Sequence, residues 1–217
     1  IRDCWIFGNT ADVGGGVILG ETTGALTDNE IYENSAGDGG GVGTGFASPS
    51  ITGNEIYSNT GESCGGGLNI YETDGTFADN VVRNNGAGDG GGLCVVDSGV
   101  TLTTNEILTN TADSHGGGLY LENSPATVMS NLIRGNDADT GSGGGVMIEG
   151  EASDGAALSD NEIAHNTTSW VGAGVFVNDS SPTLTGNWIH HNAGNEGSGV
   201  TSSWSEAVIS GNTIEHN

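Results

Sequence analysis

The segment from Leu102 to Leu121, LTTNEILTNTADSHGGGLYL, contains the features that decide the fold of this chain. Asn105 and Asn110 lie five residues apart around an apolar residue, and three glycines followed by a leucine come behind them. The same pattern recurs along the whole chain at intervals of about 25 residues. A fixed period of this length predicts a solenoid, in which each repeat forms one coil that stacks on the next.

The first asparagine of each repeat opens an Asn-x-(Ile/Val)-x-x-Asn motif. These asparagines are Asn29, Asn54, Asn80, Asn105, Asn131, Asn161, Asn187 and Asn212. We expect each to point inward at a corner of its coil, where its amide bonds the backbone and the amide one coil away. An asparagine without these partners would be a costly buried polar group. The motif therefore predicts a structural ladder of asparagines, with a second row five residues behind.

Three apolar columns accompany the asparagines in every repeat, at the positions of Leu102, Ile107 and Leu119. Alternation around these positions has the period of β-strands, and no stretch has the period of a helix. Three short strands per repeat, joined by Asn and Gly corners, predict an all-β, single-stranded right-handed parallel β-helix of 8 to 9 coils, with about 25 residues per coil. We expect residues 1–217 to form one continuous β-helix, with the extra residues around Glu149 to Asp154 looping outwards.

Composition excludes several classes of function. The chain has 28 acidic residues, three arginines and no lysine, so its formal charge is −25. Binding to nucleic acid or to an anionic membrane requires clustered basic residues, which are absent. No apolar run reaches the roughly 20 residues of a membrane span. The chain starts and ends within a repeat, which predicts a segment of a longer protein.

The three cysteines do not have a metal-binding spacing. Cys64 and Cys94 fall in adjacent repeats but in different columns, which disfavours a disulfide between them without excluding it.

The segment ILTNTADSHGGGLYL, residues 107–121, resembles the right-handed parallel β-helix repeats of the pectate-lyase-like superfamily. It is most similar to the passenger repeats of polymorphic outer-membrane autotransporters, which pair Phe-x-x-Asn with Gly-Gly-Ala-(Ile/Leu/Val). Here Ile replaces Phe, and a third Gly replaces Ala. The resemblance covers the whole chain and implies an exported protein, either extracellular or on the cell surface. Fold analogy does not establish a reaction, because the superfamily includes lyases, hydrolases, adhesins and inert stalks.

Two groups of residues are candidate metal ligands. Asp38 and Asp89 precede glycine clusters, and stacked corner carboxylates with nearby carbonyls suit Ca²⁺, although aspartate is also common in solvated turns. The second group contains His165, His191 and His216 on successive coils, with His190 beside them. Stacked imidazoles suit Zn²⁺, Ni²⁺ or Cu²⁺. The alternative is a row of polar corner residues that repeat duplication has propagated.

An aromatic column near the start of the chain is a candidate for sugar contact. The candidate residues are Trp5, Phe7, Glu30, Tyr32, Glu55 and Tyr57. Stacking places Glu30 and Glu55 about 5 Å apart, near the carboxyl spacing of retaining glycosidases. Any two residues of one column share this spacing, however, and aromatic residues in one column more often form a stabilising ladder.

A further column predicts an outward apolar surface for another segment or subunit. It contains Ile18, Asn69, Cys94, Tyr120, Met147 and Phe176. The open coil ends are a second predicted contact with other copies or with further segments of the same chain. The sequence thus favours a non-enzymatic structural or adhesive β-solenoid of a cell surface or surface filament. The alternative is a carbohydrate-binding or polysaccharide-degrading module of the pectate-lyase-like class, with glycans as ligands.

Overall fold

The computed structural model describes residues 1–217, which form a parallel β-solenoid with four sheets around its axis. All strand pairs are parallel, and each strand pairs with its counterparts one coil before and one coil after it. No α-helix is present. The predicted all-β parallel solenoid is confirmed, but each complete coil contains four strands where the sequence predicted three. We number the sheets 1 to 4 in chain order.

Sheet 1 lies between the two asparagines of the motif and has nine strands. Its strands are Trp5–Phe7, Glu30–Tyr32, Glu55–Tyr57, Val81–Arg83, Glu106–Leu108, Leu132–Arg134, Glu162–Ala164, Trp188–His190 and Thr213–Glu215. The central residue of each strand faces the core, and Ile31, Ile107 and Ile163 are fully buried. The residues on either side of it face outwards, so this sheet presents two parallel rows of side chains to solvent.

Sheet 2 follows the second asparagine and is the sheet that the sequence did not predict. Its seven strands are Thr10–Val13, Ser35–Asp38, Thr60–Cys64, Gly86–Ala87, Thr111–Ala112, Asp137–Ala138 and Thr167–Thr168. Some have only two residues, and the residue that faces the core is small, as at Ala36, Ala87 and Ala112. A pattern search for large apolar residues passes over such strands.

Sheets 3 and 4 complete each coil. The strands of sheet 3 follow the glycine clusters and are Val17–Gly20, Val42–Gly45, Leu68–Tyr71, Leu93–Val96, Leu119–Glu122, Val146–Glu149, Val175–Asn178 and Val200–Ser203. Those of sheet 4 precede the first asparagine and are Ala25–Thr27, Ser50–Thr52, Thr76–Ala78, Thr101–Thr103, Thr127–Met129, Ala157–Ser159, Thr183–Thr185 and Val208–Ser210. The inward side chains of sheets 1, 3 and 4 form one core of 29 buried residues along the axis.

The predicted asparagine ladder is present at both corners of sheet 1. Asn105 shows the pattern: its amide nitrogen donates to the Phe77 carbonyl at 2.8 Å and to Asn131 Oδ1 at 3.0 Å. Its own Oδ1 accepts from the backbone and the side chain of Asn80, both at 3.0 Å. The second row, which includes Asn110, repeats this arrangement.

A third ladder occupies the corner between sheets 3 and 4 and consists of hydroxyl groups. The backbone N–H of Ser98 donates to Ser124 Oγ at 3.1 Å, and that of Ser124 donates to Ser153 Oγ at 2.8 Å. Ser153 belongs to a 3₁₀ helix, Glu151–Gly155, formed by the inserted residues. Most of this insertion is exposed, as expected. Ser153 instead faces inward, where its hydroxyl accepts the Ser124 N–H and continues the row.

The cysteine prediction was wrong, because Cys64 and Cys94 form a disulfide with their Cα atoms 5.6 Å apart. Cys64 ends a strand of sheet 2, and Cys94 faces outwards from sheet 3 in the next coil. The glycine corner folds the end of sheet 2 over sheet 3, so two different columns meet. Cys4 is the one free cysteine.

The same corner corrects the prediction for the outward apolar column. Cys94, Tyr120 and Met147 do lie outside the main core, but they are buried in a small cluster of their own. The first glycine of each cluster packs directly against this column: a Cβ on Gly116, whose φ is +63°, would lie 2.8 Å from Tyr120 Cβ. The chain therefore covers the middle of this column itself, and that part does not form an open surface.

Candidate functional site

The outer face of sheet 1 begins with a stack of aromatic rings along the solenoid axis. The rings of Phe7 and Tyr32 are parallel with centroids 4.9 Å apart, and Tyr32 and Tyr57 repeat that separation. The Arg83 guanidinium caps the stack 4.3 Å from the Tyr57 centroid. Both faces of Tyr32 are therefore covered by neighbouring rings. Sugar contact usually needs an open ring face, so this geometry favours a stabilising ladder.

The acids that flank this stack lie in one row, because the strand register pairs Trp5 with Glu30 and Glu30 with Glu55. Arg83 Nε donates to Glu55 Oε1 at 2.9 Å, so one of the two carboxylates among the candidates for sugar contact is bound by a cation. The pKa of Tyr57 is raised, first by burial and then by Glu30 and neighbouring charges. The register thus confirms that these residues are neighbours, while sugar contact stays a prediction.

The other end of the same face carries the histidines. His165 and His191 stack with centroids 5.1 Å apart, and His191 and His216 with centroids 5.4 Å apart, which confirms that these three form one column. His190 lies in the neighbouring row and is buried, with its Nδ1 2.8 Å from His191 Nδ1. Burial is the main cause that lowers the pKa of His165, and the Arg134 charge adds to it.

A cleft of about 490 Å³ lies between the end of sheet 2 and the outer face of sheet 3. We call it the tryptophan cleft, because Trp170 and Trp204 are its two largest and most exposed apolar residues, 59% and 88% exposed. The remaining lining residues are His115, Ser142, Met147, Glu149, Val171, Phe176, Asn178, Glu196 and Ser203. No pattern in the sequence predicted this cleft.

Hydrogen bonds organise the acids near this cleft. The Tyr120 hydroxyl donates to Glu149 Oε1, and burial together with this bond raises the pKa of Tyr120. Glu122 pairs with Glu149 in the register of sheet 3, and its pKa is raised by burial first and by the Glu149 charge second. His115 Nδ1 lies 3.1 Å from Asp89 Oδ1, and this contact raises the pKa of His115.

Comparison with known proteins assigns the family. A sequence profile described as right handed beta helix region matches residues 1–131 and 90–217. The chain belongs to this right-handed β-helix family. No curated protein and no solved structure matches the chain. Membership confirms the predicted fold and is consistent with a pectate-lyase-like protein, whereas similarity to autotransporter passengers stays a prediction.

Glu122 and Glu149 could have been found in the sequence of this β-helix by alignment on the glycine clusters. GGGLYLE and GGGVMIE both end in glutamate, which places two carboxylates in one column. Trp204 stands out in its corner column. Except for Phe46, the other residues of this column are acidic, Asn or Gly, and φ of Trp204 is +51°. A bulky residue with positive φ is an outlier, and outliers of this kind concentrate at functional sites.

The candidate calcium ligands of this β-helix are engaged in backbone contacts. Asp38 Oδ1 accepts the Cys64 N–H at 3.2 Å, and Asp89 Oδ1 accepts the His115 N–H at 2.9 Å. Cys64 pairs with both aspartates, so they lie two coils apart. A Ca²⁺ ion with oxygen ligands at about 2.3–2.6 Å cannot join them. Calcium binding at separate corners stays a prediction.

The first coils of the β-helix carry an apolar groove of about 450 Å³. Val13, Ile18, Phe46 and Tyr71 contribute its apolar lining, and the Phe46 and Tyr71 rings meet edge to face with centroids 5.8 Å apart. The groove continues the outward column of sheet 3 at the point where no segment covers it.

No helix in the structure is long and apolar enough to cross a bilayer.

Proposed function

We propose that this β-helix is a non-enzymatic structural and adhesive element of a cell surface or surface filament. The observation that carries the proposal is that the best-placed acids are held in structural contacts. Glu55 is bound by Arg83, and Glu149 accepts the Tyr120 hydroxyl. A carboxylate that is paired with a cation or accepts a hydrogen bond is a weaker base and nucleophile, because these contacts stabilise its charge.

An extracellular location is supported by the disulfide between Cys64 and Cys94. Disulfides persist in oxidising compartments and are rare in the cytosol. The net charge of −25 also keeps such a surface solvated and disfavours contact with polyanions.

Adhesion needs a contact surface, and the tryptophan cleft supports glycan binding as that contact. Trp170 and Trp204 offer large ring surfaces at its rim, while Glu196 and Asn178 add polar groups. Five of the eleven lining residues are hydrophobic, so the cleft combines aromatic surfaces with polar groups that could orient a small ligand. The outer face of sheet 1 is the competing surface, where Trp5, in the row beside the aromatic stack, is 74% exposed.

Incubation with neutral and acidic polysaccharides tests the non-enzymatic role. We expect no release of reducing ends or unsaturated products from any of them. Product from any polysaccharide would overturn the proposal, and the location of the reaction could then be assigned by two double variants. The double variant Glu30→Gln with Glu55→Gln would abolish a reaction on sheet 1. The double variant Glu122→Gln with Glu149→Gln would abolish a reaction at the cleft.

Retention on immobilised glycans tests the cleft. We expect Trp170→Ala and Trp204→Ala each to weaken retention at least 10-fold, because stacking on an aromatic ring is lost. Trp5→Ala is the matched control, since it removes an equally exposed tryptophan from the other face. If Trp5→Ala weakens retention and the cleft variants do not, the sheet 1 face is the contact surface.

A further inference from the structure

Three imidazoles converge at the end of sheet 1, on two adjacent coils. One ligand atom from each of His165, His190 and His191 lies within 4.8 Å of the others. We propose that these three histidines bind one transition-metal ion, with Zn²⁺ as the expected occupant. Neutral imidazole is a preferred ligand of Zn²⁺, and three protein ligands with a water in the fourth position form an open tetrahedral site.

The distances suit an ion after rotation of the two exposed rings, because the three ligand atoms already lie within 4.8 Å of one another. His190 Nδ1 and His191 Nδ1 are 2.8 Å apart. In a tetrahedral zinc site the two nitrogens would be about 3.3 Å apart, as follows from Zn–N distances of about 2.0–2.1 Å. A small rotation of the exposed His191 ring provides this difference. Two ring nitrogens this close must share either a proton or an ion, because their lone pairs repel.

The environment of His190 indicates a built site. Its side chain is only 8% exposed, and its ring packs against Trp188 with centroids 3.9 Å apart. His190 Nε2 is buried without a hydrogen-bond partner, and its nearest charged group is Glu162 Oε1 at 3.5 Å. Nε2 makes no hydrogen bond to Glu162, but the adjacent carboxylate favours a proton on Nε2, which leaves the Nδ1 lone pair for the ion. Metal-binding histidines commonly have such a carboxylate behind them.

The backbone holds the two exposed histidines in place. His165 and His191 both have φ of +55° in the corner directly before a ladder asparagine. The following residues, Asn166 and Asn192, are buried and joined by a side-chain hydrogen bond of 3.0 Å. The backbone positions of both histidines are therefore set by the stacking of the coils, so only their side chains have to adjust when the ion arrives.

The surrounding charges favour a cation on balance. Glu162 lies behind His190, and Glu215 is in the next coil at the same register position as His190. Arg134 opposes binding, since it pairs with Ala164, the residue directly before His165, but it is one cation against two carboxylates. The net charge of −25 adds a favourable long-range field.

Titration calorimetry of the full chain with Zn²⁺ alone tests the site. We expect one ion per chain, and Co²⁺ in its place should show the visible absorption of tetrahedral coordination. His191→Asn and His165→Asn should each weaken binding at least 10-fold, because asparagine tolerates positive φ but is a poor zinc ligand. Glu162→Gln should weaken it by about 10- to 100-fold, the range typical of residues behind a metal ligand.

His115→Ala is the matched control, because it removes a histidine that lies far from the cluster in the register, and it should bind Zn²⁺ as the unmodified chain does. Thermal melts in chelator should show that the histidine variants are folded. The proposal is overturned if the chain binds no Zn²⁺, or if both asparagine variants bind it with unchanged affinity. The second outcome would assign binding to the acidic corners.

Discussion

At the scale of single residues, stability depends on side chains that form hydrogen bonds with the backbone groups at each corner. Asn110 is fully buried, donates to the Val82 carbonyl and to Asn136, and accepts both N–H groups of Asn85. Its side chain has two N–H donors and two oxygen lone pairs, and all four are used. Asparagine is required because aspartate has no donor and leucine has neither donor nor acceptor.

Asn110→Ala should lower the free energy of unfolding by about 2–4 kcal/mol, because it leaves the buried N–H of Asn85 without an acceptor. Denaturant unfolding of the two chains would measure the difference. The control is Asn84→Gly, since Asn84 is exposed, has φ of +55°, and loses only a surface hydrogen bond from Thr109. That change should stay within about 0.5 kcal/mol. Equal effects of the two substitutions would contradict a structural ladder.

The contact between His115 and Asp89 should make a pH-dependent contribution. The pKa of His115 is raised above its ordinary value of 6.5, mainly by the hydrogen bond to Asp89. A raised pKa in the folded state means that the stabilisation is fully present below the ordinary value and is lost as pH rises through the raised value. Both side chains are more than a third exposed, so solvent screening limits the effect to about 1 kcal/mol or less.

A double-mutant cycle with His115→Gln and Asp89→Asn, measured at pH 5.5 and at pH 9, tests this sign. The backbone N–H of His115 also bonds Asp89, but this bond is common to both backgrounds and cancels in the cycle. We expect favourable coupling at pH 5.5 and none at pH 9. Coupling that grows with pH would show that the pair does not depend on the imidazolium.

At the scale of elements, the strands are short, and the corner residues fix their positions. Sheet 2 has strands of two residues, yet it extends over seven coils because the asparagines and glycines on either side fix its position. The end of sheet 2 is also where the chain folds back on itself. The disulfide, the buried outward column and the tryptophan cleft all arise there.

The disulfide between Cys64 and Cys94 should stabilise the folded chain by about 2–4 kcal/mol, because it closes a loop of 30 residues in the unfolded chain. A reducing agent, or Cys94→Ser, should lower the melting temperature accordingly. Cys4→Ser is the control and should leave it unchanged, since Cys4 is exposed and unpaired. Thiol titration of the denatured chain should find one reactive thiol before reduction and three afterwards. Three thiols before reduction would show that the bond does not form.

Physical reasons explain which elements the sequence predicted. The counterparts of Asn105 and Ile107 recur at a fixed spacing in every repeat. Stacking in register depends only on that spacing, so the sequence predicted the fold and both asparagine rows. The disulfide did not, because Cys64 and Cys94 are joined by the path of a glycine corner, and a column count does not describe that path. The tryptophan cleft did not follow either, since Trp170 and Trp204 lie in corners that differ from one repeat to the next.

At the scale of the whole molecule, each coil contacts only its neighbours along the axis, so the chain should tolerate the loss of one complete repeat. Deletion of residues 105–130 joins Thr104 to Asn131 and keeps every column in register. We expect the β-sheet circular dichroism to persist, with a denaturant m-value lower by roughly one-eighth, because less surface is exposed on unfolding.

Deletion of residues 105–117 is the matched control, since it removes half a coil and brings Gly118 to the position of an asparagine. This chain should not fold cooperatively, because every later column would meet the wrong neighbour. Equal stability of the two deletions would mean that register does not govern the fold.

The asparagine rows also give the molecule a direction. Asn105 donates one N–H to Asn131, and Asn131 donates one to Asn161. Each of these side-chain amides thus points one N–H towards the C-terminal coil, while its other N–H bonds a backbone carbonyl. The amide dipoles add along the row, and each bond polarises the next. The two ends of a coil stack are thus chemically unlike, with carbonyl oxygens at one and N–H groups at the other. A coil from another molecule would match the hydrogen-bonding groups of these rows only head to tail, whereas head-to-head contact would oppose like poles.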